Sequence, residues 1–229
     1  MQAVILAGGL GSRLGHLKGD KPKGLLKPEG LSEESLLARS VGILRSHGVG
    51  DIIIGTGYGS EYLERVFGGC GDITLIKNPH YATTGSAQTL EAVRGAIVED
   101  FLLLESDLLY EERAIGELLK DSRKSLVLAS GATHSGDEVF LQLDGESRLL
   151  GLSKNPKELK SCDAELVGIS KVGYEDFLGF DFGGVSDYEH LLLGFGVLKI
   201  EDLLWCEIDC LEHLLRAQSA IIPRLKKLS

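Results

Sequence analysis

Along the first 130 residues, apolar positions gather in short unbroken runs, and polar stretches with helical spacing separate them. The runs at 3–6, 51–55, 72–77, 101–105 and 126–130 predict strands, most of them apolar on both faces, as strands inside a parallel sheet are. Between them, 33–47, 60–67, 86–98 and 111–119 predict helices. In the first of these, Leu36, Leu37, Val41 and Leu44 form one apolar face, with Ser32 as N-cap and Gly48 as stop. This alternation predicts an α/β fold with a doubly wound, mostly parallel sheet and right-handed crossovers.

The rhythm changes after residue 130. Segments 139–143 and 149–153 flank Asp144-Gly145, a hairpin signal. A strand at 164–172 follows, then short helices at 174–178 and 187–193 separated by the glycine-rich 180–184, a late strand at 205–208 and a helix at 211–220. In sheets of this type ligands gather at the carboxyl ends of the strands, so residues just past those ends are the ones to watch.

Composition narrows the class. Hydrophobic residues make up 43% of 229, enough for a sizeable core. The formal net charge of −10 disfavours non-specific binding to nucleic acid or anionic membranes. It would also repel a nucleotide, unless local cations and a divalent ion held it. None of Cys70, Cys162, Cys206 and Cys210 forms a C-x-x-C pair, which predicts reduced thiols rather than a zinc site. No leader pattern opens the chain and no apolar stretch reaches membrane-spanning length, so a cytoplasmic protein is expected.

Chemistry concentrates at the first strand's exit, in Leu6-Ala7-Gly8-Gly9-Leu10-Gly11-Ser12-Arg13-Leu14-Gly15 and then Lys21-Pro22-Lys23-Gly24-Leu25-Leu26. Glycines let a ligand approach the backbone, bare N–H groups can face phosphate oxygens, and Arg13, Lys21 and Lys23 add positive charge in an acidic chain. The segment lacks the G-x-x-x-x-G-K-[ST] of a P-loop, and Leu14 stands where a dinucleotide fingerprint needs its third glycine.

LAGGLGSRLG with KPKGLL resembles the signature of nucleotidyltransferases that join a nucleoside monophosphate to a phosphorylated small molecule, a family that includes sugar-1-phosphate nucleotidylyltransferases and the phosphocholine and 2-aminoethylphosphonate cytidylyltransferases. The resemblance implies a Rossmann-like, nucleotide-diphospho-sugar transferase fold in a single domain over 1–229. Residues 1–130 would bind nucleotide; 131–229, with the hairpin, would bind the acceptor and supply the second metal ligand. Asp107 and Asp209, each just past a predicted strand, would hold Mg²⁺. Lys23 and Arg13 would handle phosphates, and Lys154 would reach the α-phosphate or acceptor. Leu6, Ala7, Gly8, Gly9, Gly11, Ser12, Lys21 and Ser106 would complete the nucleotide site. Thr84, Gly85, Ser86 and Gln88 would meet a pyrimidine base, in a segment closer to the cytidylyl branch.

The stretch Leu104–Glu111 resembles the branch acting on aminoalkyl phosphates and phosphonates. A primary ammonium wants carboxylates and a quaternary one an aromatic cage. Glu165, Asp187, Tyr188 and Glu189 are the expected head-group contacts. The expectation is a Mg²⁺-dependent cytidylyltransferase of phosphonate biosynthesis making CMP-2-aminoethylphosphonate from CTP. Phosphocholine or a sugar 1-phosphate is the alternative acceptor, and a catalytically inactive nucleotide-sensing module the alternative class. A homodimer and a further domain after Ser229 are compatible with the sequence.

Overall fold

The structure, a computed structural model, describes residues 1–31 and 33–228. Eleven strands are described: β1 Gln2–Ala7, β2 Ile52–Thr56, β3 Ile73–Lys77, β4 Phe101–Glu105, β5 Leu108–Tyr110, β6 Leu126–Ser130, β7 Phe140–Leu143, β8 Leu149–Ser153, β9 Ala164–Val172, β10 Gly196–Ile200 and β11 Trp205–Glu207. The helices are α1 Leu36–Ser46, α2 Ser60–Phe67, α3 Ser86–Ala92, α4 Arg113–Lys120, α5 Tyr174–Leu178, α6 Leu211–Arg216 and α7 Ile222–Leu225. The main sheet runs β10-β6-β9-β4-β1-β2-β3, with the β7–β8 hairpin joined to β9. Only β9 and the hairpin run antiparallel in it; the remaining pairs are parallel. The expected α/β, mixed and mostly parallel fold is therefore present.

Strand alternation sorts the core into two layers. Ala3, Ile5 and Ala7 of β1 face α1, α2 and α4, whereas Val4 and Leu6 face α3 and α5. A third cluster packs the C-terminal helices against β5 and β11, which form their own two-stranded sheet.

Several boundaries differ from the sequence reading. Ser35 caps α1, its side chain accepting from Ala38 N at 3.2 Å; Ser32 lies outside the described residues. β3 is an edge strand with none of its five residues buried, not a strand buried on both faces. β5 and β10 are strands the pattern did not mark: β5 is three residues long, and β10 follows Leu191-Leu192-Leu193 too closely to stand out as a separate run. The 187–193 segment is a 3-10 turn, Tyr188–Leu192, and α6 passes through a π turn, Ala217–Ile221, into α7. The hairpin turn is longer than two residues: Asp144 Oδ1 accepts from the N–H groups of both Glu146 and Arg148 at 2.8 Å. Among the described residues no helix is long and apolar enough to cross a membrane.

Candidate active site

The glycine-rich segment leaves β1 at its carboxyl end and walls a cleft of about 350 Å³. Leu6, Gly8, Gly9, Gly11 and Ser12 line one side; Thr84, Gly85 and Ser86 line the other. A Cβ on Gly8 would lie 2.8 Å from Thr89 Oγ1, and Gly11 has φ +58°, so both positions favour glycine. Ala7 and Ser106 are buried and do not line the cleft, and Lys21 is exposed outside it. Gln88 is engaged within the protein. Its Oε1 accepts from Gly85 N at 3.1 Å and its Nε2 donates to Val185 O at 2.6 Å. Gly85 abuts Ser186, whose carbonyl oxygen a Cβ would overlap, and Ser86 Oγ accepts from Tyr188 N at 2.9 Å. These three residues dock α3 onto the 180–188 segment.

At the cleft's floor lies a charged cluster assembled by the β5–β11 pair. Leu108 stands opposite Glu207, and Ile208 N donates to Asp107 O at 3.1 Å, which brings Asp107 and Asp209 together. Lys23, on the 3-10 turn Lys23–Leu25, reaches between them: it ion-pairs with Asp107 and donates to Asp209 Oδ1 at 2.8 Å. Arg13 ion-pairs with Asp209 and donates to Asp137 Oδ2 at 2.6 Å, and Lys154 donates to Asp137 Oδ1 at 2.7 Å.

Burial alone would lower the Lys23 pKa, but Asp107, Asp209 and Glu207 outweigh it and hold its ammonium well above the ordinary lysine value. Burial likewise opposes ionisation of Asp209, yet hydrogen bonds from Glu207 and Lys23 hold it well below the usual carboxylate range. Glu207 is pushed up to about 11, by burial first and then by Asp107. Asp107 is raised by burial, which Lys23 partly offsets.

The residues fit a divalent ion. Asp107 is fully buried; its Oδ2 ion-pairs with Lys23, and its Oδ1 has no hydrogen-bond partner among the described residues. Ligand oxygens of Glu105, Asp107 and Glu207 lie within 4.8 Å of one another, as do those of Asp137, Glu207 and Asp209. Hard oxygen donors in this number suit Mg²⁺ or a similar cation.

Beside this cluster opens an inner cavity of about 70 Å³ that shares Glu105 and Glu189 with the cleft. Glu165 lines it while accepting from Thr133 N at 2.6 Å and Thr133 Oγ1 at 2.7 Å. Tyr188 is buried, and its hydroxyl donates to Glu105 Oε1 at 3.0 Å. Glu189 Oε2 is buried without a hydrogen-bond partner among the described residues. Burial pushes Glu105, Glu165 and Glu189 above the usual carboxylate range. Asp187 is exposed and lines neither space.

A model of the MobA-like NTP transferase domain matches residues 3–225. The chain belongs to that family. Among curated relatives, this NTP transferase domain is 28% identical to a CMP-5'-(3-aminopropyl)phosphonate synthase of Streptomyces rubellomurinus, over 91% of its own length and 37% of the relative's. It is 27% identical to a choline-phosphate cytidylyltransferase of Streptococcus pneumoniae, over 53% of its length and 52% of that protein's. It is 33% identical to a bifunctional IPC transferase and DIPP synthase of Thermococcus kodakarensis, over 96% of its length and 50% of that protein's. The chain thus spans about a third to a half of the length of these relatives. Among solved structures, the inositol-1-phosphate CTP transferase from T. maritima superposes with TM-score 0.81 at 18% identity, covering 99% of this chain and 96% of the other. The CTP:phosphocholine cytidylyltransferase from Streptococcus pneumoniae superposes at 0.73 and 21% identity, covering 95% and 97%.

The geometry adds residues to the candidate site that the sequence reading did not name. Glu105 and Glu207 each stand two positions before a marked aspartate, on the same face of an extended segment, so the strand period was their signal. His213 and Arg216, three apart on α6, both line the inner cavity. Asp137 lies in a loop with no pattern to betray it.

Proposed function

We propose that this domain transfers CMP from CTP to a small aminoalkyl phosphonate, with 2-aminoethylphosphonate as the leading acceptor, and that it does so as one unit whose first half grips nucleotide and whose second half grips acceptor. The observation that carries this reading is the inner cavity: small, lined by carboxylates, and sharing its edge with the triphosphate-sized cleft. Apart from the His213 imidazole, its only aromatic lining residue among those described, Trp205, is buried with its Nε1 donating to Ser130 Oγ at 2.8 Å. Such a space has no aromatic cage for a quaternary ammonium and is small for a hexose, whereas carboxylates suit a primary ammonium. The aminopropylphosphonate and phosphocholine relatives point to the same substrate class.

The triphosphate would lie along the glycine-rich segment, with Arg13 and Lys23 exchanging carboxylate partners for phosphate oxygens. Asp107 and Asp209, aided by Glu207, would hold Mg²⁺, which when bound neutralises charge on the transferred group. Lys154 would steer the acceptor's anionic end. A phosphonate oxygen attacks the α-phosphorus, the bond to the bridging oxygen breaks, and pyrophosphate leaves in line; the acceptor is already an anion, so positioning and charge stabilisation dominate. The four cysteines are free thiols, which suits a cytoplasmic setting.

A pyrophosphate-release screen of five nucleoside triphosphates against 2-aminoethylphosphonate, phosphocholine, inositol 1-phosphate and glucose 1-phosphate, with Mg²⁺, tests the proposal. CTP with 2-aminoethylphosphonate should turn over fastest. Faster turnover of phosphocholine would reassign the acceptor, and nucleotide binding without release from any acceptor would favour a sensing module.

A further inference from the structure

His213 stands in the first turn of α6, four residues after Asp209, and forms part of the inner cavity's wall. It is only 6% exposed. The backbone N–H of Asp209 donates to its Nδ1 at 3.4 Å. A ring nitrogen that accepts carries no proton, so the neutral imidazole keeps its proton on Nε2. Among the described residues nothing accepts a hydrogen bond from Nε2. Nε2 is not sealed within the protein, and the cavity is the open space this residue lines, so an acceptor for its N–H is to be met there. An N–H donor repels an ammonium. On a small amine-bearing substrate the atoms it can serve are the phosphonate or phosphate oxygens, and those oxygens belong beside Asp209, where the α-phosphorus must be met.

We infer that His213 is an acceptor-binding residue: its Nε2–H donates to an anionic oxygen of the acceptor, while its Nδ1 is tied to the backbone of a metal-ligand candidate. This rests on the inner cavity being the acceptor's site. The ring would couple two tasks, orienting the nucleophilic oxygen and fixing it relative to Asp209.

Three substitutions separate these tasks. His213→Gln offers an amide N–H near the place of Nε2, His213→Asn an acceptor near the place of Nδ1, and His213→Leu neither. With CTP and the best acceptor from the pyrophosphate screen, His213→Leu should raise the acceptor KM by about tenfold or more, as loss of a hydrogen bond to a charged group does, with the CTP KM within about twofold. His213→Gln should recover most of that loss, and His213→Asn little. Rescue by Asn and not Gln, or an unchanged acceptor KM in His213→Leu, would overturn the inference. Thermal melts of each variant exclude misfolding.

A second readout needs no turnover. In wild-type protein labelled with ¹⁵N-histidine, His213 should be the Nε2–H tautomer, and methylphosphonate should shift its Nε2 resonance. The Nδ1–H tautomer, or no shift at saturating probe, rejects the assignment even if the screen finds no acceptor. A positive shift with no turnover of any acceptor would instead retire the transferase reading and keep His213 as a phospho-oxygen contact.

Discussion

Lys23 sits where its charge is most contested, between two buried aspartates that would also hold a divalent ion. Its replacement by Met should lower kcat by about 10²–10³-fold, the usual effect of removing one preorganised electrostatic group. It should also destabilise the fold by about 3–5 kcal/mol, because Asp107 would be left buried and unpaired. Mg²⁺ should then raise the melting temperature of Lys23→Met more than that of the wild type; an equal rise would mean the ion binds elsewhere. Asp107→Asn should nearly abolish turnover, measured as pyrophosphate release, with a small change in melting temperature. Lys23, Asp107 and Asp209 were legible because each belongs to a motif or ends a strand. Gln88 shows the limit: the same glutamine that would suit a base contact is engaged by Gly85 and Val185, and only packing decides between those partners.

At the scale of elements, the junction between α3 and the 180–188 segment holds one side of the cleft. Gly85→Ala forces a Cβ into the Ser186 carbonyl and should cost about 1–3 kcal/mol, read as a lower urea midpoint with an unchanged m-value. At the end of α4, Arg123 holds the Asp121 carboxyl down at about 2 through side-chain and backbone hydrogen bonds. A depressed carboxylate stabilises above its ordinary pKa, and that gain is lost as pH falls through about 4 towards 2. Asp121→Asn should therefore flatten the pH dependence of the melting temperature between pH 4 and 2 and leave the curve above pH 5 parallel to that of the wild type. Unbroken apolar runs such as 101–105 were readable as elements because burial on both faces demands continuity. β5 escaped notice because three residues set no period, yet its pairing with β11 builds the floor of the candidate site.

For the whole molecule, the charge cluster is self-neutralising: Lys23, Arg13 and Lys154 already partner Asp107, Asp209 and Asp137. EDTA should therefore abolish turnover while leaving the far-UV circular dichroism and melting temperature nearly unchanged, with activity restored by Mg²⁺. A collapse of the fold in EDTA would make the metal structural instead. The sequence by itself determined the α/β class, the family, and the glycine-rich segment and two aspartates that the fold brings to one site, because local period and contiguous motifs carry that information. Tertiary structure alone decided which carboxylates join them, how small the inner cavity is, and which polar groups are left free to meet a ligand. Those properties depend on strand pairing between segments about a hundred residues apart, and no local pattern encodes that distance.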